Sequence, residues 1–110
     1  NNQNKYFMLL NHNDINDKNS IYKSEVKMIS AIYNLVMPIV SNSYAYSALA
    51  RKLNANFLVF DNKISPFELI VKIDSKDKNF FNDFFSQSIS FINQNYSSDA
   101  IAKKLLKIIK

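Results

Sequence analysis

The sequence predicts an α/β domain, a mixed sheet with flanking helices that ends in two helices. Short apolar runs at 6–10, 35–40, 57–60 and 67–73 suit strands, and segments with apolar residues at helical spacing lie between and after them. The clearest helical period falls in 77–95, where Phe81, Phe84, Phe85, Ser88, Ile89 and Ile92 recur on one face. Polar clusters rich in Asn, Asp and Ser punctuate the chain where turns are needed.

The elements follow in order. Tyr6, Phe7, Met8, Leu9 and Leu10 form a run suited to a buried strand, although its pattern also admits a helix. Residues 11–20 read as a polar loop, and 20–23 as a further short strand. Ser24 is an N-cap for a helix through Asn34, with Glu25 in its first turn and Met28, Ile29 and Ile32 facing inward. Asn34 is the residue best suited to a left-handed position at the end of that helix. The strand at 35–40 contains Pro38, which forbids one ladder donor and argues for an edge or a bulge. Ser41, Asn42 and Ser43 form a turn and N-cap that opens a helix over 44–53. A strand at 57–60 closes on the Asp61–Asn62 turn, and another begins after Pro66. The last helix is capped by Ser97 or Ser98 and carries Ile101, Ala102, Leu105, Leu106, Ile108 and Ile109 on a broad apolar face. Residues 1–19 thus form a polar segment with one apolar strand, and 20–110 a single α/β domain or part of a larger two-lobed one.

Composition narrows the chemistry. The 110 residues are 47% hydrophobic and 14% aromatic, enough for one modest core. Glycine is absent, which excludes phosphate loops and nucleophile elbows built on Gly backbones. Cysteine is absent as well, so disulfides, thiolate catalysis and Cys-based metal sites are excluded. The net charge of +5 comes from scattered lysines and a single arginine, Arg51, whereas nucleic-acid readers lean on Arg forks. Lys103, Lys104, Lys107 and Lys110 complement the dipole at a helix end, and no nucleic acid is expected as a partner. No apolar run reaches the ~20 residues of a membrane-spanning helix. The polar start, Asn1 to Lys5, suits a tether after a removed signal or a lipid-modified residue.

Individual motifs carry little. His12 stands alone in a polar loop, which gives neither a catalyst nor a zinc site. Asp14, Asn16 and Glu25 match three positions of a calcium loop, but Lys18 and Asn19 occupy positions that need an oxygen ligand and a glycine. No carboxylate pair has a spacing that points to acid–base work. The residues therefore predict no catalytic group, no metal and no cofactor.

Residues 24–110 resemble the C-terminal portion of type 2 periplasmic solute-binding proteins of the amino-acid-binding branch. Glu25 to Asn42 can be laid without a gap on the family's helix-to-strand pattern, with Asn34 at its Gly and Asn42 at its final Asp. The run Tyr44-Ala45-Tyr46-Ser47-Ala48-Leu49-Ala50 matches a helix rich in Ala and Tyr. Pro66-Phe67-Glu68-Leu69-Ile70-Val71-Lys72 matches a strand, and Phe84 to Lys104 matches the two closing helices. The resemblance implies a non-catalytic, extracytoplasmic module, free or lipid-anchored, that serves an importer permease or a sensor kinase. It places a small polar ligand at Ser41, Asn42 and Ser43, beside a helix start that favours an anionic or polar group. The neutral Asn42 in place of the Asp removes the charge that would pair with an ammonium group. The alternative is a surface-exposed lipoprotein or protein-interaction domain with no small ligand.

Overall fold

A computed structural model describes residues 5–11 and 18–96. Among these residues the chain is α/β, with three parallel strands in one sheet and four α-helices. The order is β1 (Tyr6–Leu10), α1 (Lys18–Tyr33), β2 (Val36–Ser41), α2 (Tyr44–Lys52), a 3-10 turn (Asn56–Leu58), β3 (Val59–Phe60), α3 (Pro66–Asp74) and α4 (Lys78–Asn95). The strands lie side by side in chain order, with β2 central. Phe7 pairs with Met37 and Leu10 with Val40, while Val40 and Ser41 pair onward to Val59 and Phe60. The expected mixed sheet is corrected: every strand pairing among the described residues is parallel.

β2 is buried on both faces, because Met37, Pro38, Ile39 and Val40 are all closed to solvent and successive residues point to opposite sides. Phe7 shares a face with its register partner Met37 and meets the Phe81 ring edge-on at 6.4 Å, so α4 covers that face. α1 packs against α2 and α4, and α3 against β2. The core joins Met28 and Ile32 of α1, Tyr46 and Leu49 of α2, Leu58 of the 3-10 turn, Leu69 and Ile73 of α3, and Phe84 and Ile92 of α4. Each such side chain contributes about 1.5–3 kcal/mol by leaving water.

Several expected elements differ. Residues 20–23 are helical and not a strand, and Ser24 is not an N-cap, because α1 already begins at Lys18. The physical reason lies one step along the helix: Ser24, Met28 and Ile32 fall at four-residue spacing and all three are buried. The strand expected at 67–73 is helix α3. Ser65 accepts from the Glu68 amide at 3.2 Å while Glu68 accepts from the Ser65 amide at 3.0 Å. This reciprocal capping box, with Pro66 in the first turn, fixes a helix start that outweighs the β-branched run after it. The strand of the solute-binding pattern at this position is therefore not formed. The strand at 57–60 shortens to Val59–Phe60 behind the 3-10 turn. α4 matches its expected span, with Asp77 accepting from the Phe80 amide at 2.9 Å. The expected turn after β3 is also present, where Asp61 accepts from the amides of Lys63 and Ile64.

Pro38 sits in a central strand, but β3 pairs only with Val40 and Ser41. Over its first four residues β2 has a strand partner on the β1 side alone, so the proline stands where the sheet behaves as an edge. The last helix, His12, Asp14 and Asn16 lie outside the described residues.

A chain without glycine must place other residues at left-handed backbone positions. They are Leu35 (φ 59) and Asn54 (φ 57), not the expected Asn34. Asn34 instead closes α1 with its side chain, donating from Nδ2 to the Ser30 carbonyl at 2.8 Å. At the end of α2 the amides of Asn54 and Ala55 return to the carbonyls of Arg51 and Ala50, a Schellman closure with Asn at the left-handed position. A leucine at such a position costs about 1–2 kcal/mol, and Leu35 recovers little by burial because it is 56% exposed. Replacement Leu35→Gly should therefore raise unfolding free energy by up to about 1 kcal/mol, after the glycine's own entropic cost. Urea denaturation of the two proteins, with unchanged slope, measures it.

Candidate functional site

The turn at Ser41–Ser43 lies where β2 leaves the sheet. Ser41 is the last residue of β2 and pairs with Phe60, so its backbone position is fixed by the sheet. The Ser43 amide returns to the Ser41 carbonyl at 2.8 Å, which turns the chain sharply into α2. Ser43 has the extended backbone of an N-cap (φ −104, ψ 164), yet its side chain makes no capping hydrogen bond. Ser43 is 3% exposed, and its Oγ is buried without a hydrogen-bond partner. Buried hydroxyls are nearly always paired, so this one stands out.

Asn42 is exposed at the apex. Its Oδ1 accepts from Ser47 Oγ at 2.7 Å, so the side-chain acceptor is used within the turn. The structure thus brings together an Asn42 amide, a buried Ser43 hydroxyl and the positive end of a nine-residue helix. Each of these can donate to an anion, and the helix dipole favours negative charge at this end. The three residues predicted from sequence are contiguous here, while Arg51 lies exposed near the other end of α2.

A second polar group was not anticipated. Ser24 and Glu25, expected at a helix start, are buried in the middle of α1. Tyr96, directly after α4, donates to Glu25 Oε2 at 3.3 Å. Burial, followed by repulsion from Glu25 and the hydrogen bond given to it, pushes the Tyr96 hydroxyl up to about 12. Burial also raises Tyr46 above the ordinary phenol value, against a hydrogen bond with Ser24 that pulls it down. Tyr33 adds a further α1–α4 tie by donating to Asn93. Tyr46 and Tyr96 stay protonated near neutral pH and act as hydrogen-bonding ties from α2 and the end of α4 to α1. The signal for the group was the four-residue spacing of Ser24 with Met28 and Ile32.

Among the described residues no group of three His, Asp or Glu side chains could hold a metal ion. No described helix is long and apolar enough to cross a membrane. No family model matches the chain, and no curated protein or solved structure matches it.

The Tyr96 pairing has a signed pH dependence. Unfolded tyrosine ionises near 10, whereas the folded Tyr96 holds its proton to about 12. The folded state then binds more protons than the unfolded chain between these values. The contribution is complete below pH 10 and disappears as pH rises toward 12. Wild type should lose stability relative to Tyr96→Phe across that window, and Tyr96→Phe should cost about 1 kcal/mol at neutral pH. Thermal unfolding of both proteins from pH 7 upward measures the difference.

Proposed function

We propose that the chain is a non-catalytic binding module that takes a small polar anion at the Ser41–Ser43 turn. The observation that carries this reading is the buried, unpartnered Ser43 Oγ at the start of α2. An unpaired buried hydroxyl costs about 1–3 kcal/mol. A partner from outside the chain would satisfy it. The dipole of α2, with the exposed Asn42 beside it, favours a negative charge on that partner. Solute capture outside the cytoplasm for an importer or sensor fits such a module, with an anionic or polar solute in place of an amino acid's ammonium end.

Ser43→Ala separates the two roles of the hydroxyl. It removes an unsatisfied polar group without removing a cap, so the free protein should gain about 1 kcal/mol of stability. Inorganic phosphate should raise the Tm of wild type by mass action and have a much smaller effect on Ser43→Ala. A variant that is destabilised, or that responds to phosphate as wild type does, would contradict the reading.

One observation favours a second reading, a protein-interaction domain. On α3, Phe67 is 79% exposed and Val71 is 70% exposed, one helical turn apart. Apolar side chains this open on both a helix and its neighbouring turn mark contact surfaces. The double replacement Phe67→Ser with Val71→Ser should change stability by no more than about 0.5 kcal/mol. A larger loss in calorimetry would show that the fold itself uses this face.

A further inference from the structure

A cleft of 480 Å³ separates the C-terminal half of α3 from the first turn of α4. Leu69 and Ile73 of α3, Phe57 of the 3-10 turn and Phe80 of α4 give it apolar walls, and Lys72 and Lys76 stand among its lining. The volume falls within the range of small-molecule sites. Phe57 and Phe80 pack with ring centroids 5.3 Å apart, which closes one side. Lys76 Nζ lies 5.7 Å from the Phe80 ring centroid, so its charge is held over the cleft wall.

The charge balance of the cleft is one-sided, because no carboxylate belongs to its lining. The nearest acids in sequence are already engaged. Asp74 pairs with Lys5 at 3.8 Å, Asp77 caps α4, and Glu68 completes the capping box of α3. Neither Lys72 nor Lys76 forms an ion pair among the described residues. Two ammonium groups on flexible stems above an aromatic and aliphatic interior match a ligand with an apolar body and one anionic head.

We propose that this cleft binds a medium-chain carboxylate, with the hydrocarbon against Phe57, Leu69, Ile73 and Phe80 and the carboxylate between Lys72 and Lys76. No residue of the cleft belongs to the Ser41–Ser43 turn, so this site stands independently of the anion site there. The test is an amide NMR titration of the full chain with decanoate, kept below its micelle concentration. Saturable shifts should centre on residues 69–80. The double variant Lys72→Gln with Lys76→Gln, whose side chains are exposed in the fold, should bind decanoate at least about tenfold more weakly. Decanol, with the same hydrocarbon and no charge, should be weakened by a similar factor in wild type. Phosphate should not displace decanoate. Absent shifts, shifts centred elsewhere, equal binding of decanol, or unchanged binding by the lysine variant would each overturn the proposal.

Discussion

Burial of β2 on both faces is the constraint on which the rest of the structure depends. Met37 and Ile39 point one way, Pro38 and Val40 the other, and all are closed to water. A parallel strand in this position needs helices over both faces, because neither face can be left to solvent. The helices meet that need with Met28 and Ile32, Tyr46 and Leu49, Leu69 and Ile73, and Phe81 and Phe84. The same arrangement sets where the chain can turn. β2 ends at Ser41 because its sheet partners end there, and the two residues after it, Asn42 and Ser43, lead the chain into α2.

The absence of glycine shapes how those turns are made. Left-handed positions fall to Leu35 and Asn54, and helix starts are fixed by side chains at Ser65, Glu68 and Asp77. Only α2 among the helices with described starts lacks a side-chain cap, although a serine stands at the right place. The Ser43 hydroxyl is buried and makes no capping bond to α2.

Much of this was legible in the sequence, for reasons that differ by element. The period of Phe81, Phe84, Ser88 and Ile92 gave α4 its span, because one face meets the core and the other meets water. β1, β2, α2 and the Ser41–Ser43 turn were legible from apolar runs bounded by polar residues. α3 was misread because Phe67, Leu69, Ile70 and Val71 favour strands, while the Ser65–Glu68 spacing that decides the matter is only four residues long. The start of α1 was misplaced because a buried serine and a buried glutamate look like surface residues until Tyr46 and Tyr96 supply their partners. Asn34 and Leu35 were exchanged, because propensity favours Asn at a left-handed position but the helix length and the register of β2 assign it to the next residue. The Lys72–Lys76 cleft could not be read at all, since Phe57 and Phe80 meet only in the folded chain.

Function follows from where the sheet delivers the chain. The proposed site at the Ser41–Ser43 turn rests on the buried, unpartnered Ser43 Oγ at the start of α2, next to the Asn42–Ser47 hydrogen bond. In the proposed reading the dipole of α2 favours an anion there, and the core behind the turn keeps the group in place. Backbone amide NMR of the folded protein titrated with inorganic phosphate tests this most directly. Saturable shifts largest at residues 42–46 are the predicted result; no saturable change there, or changes centred on another part of the chain, would contradict the account.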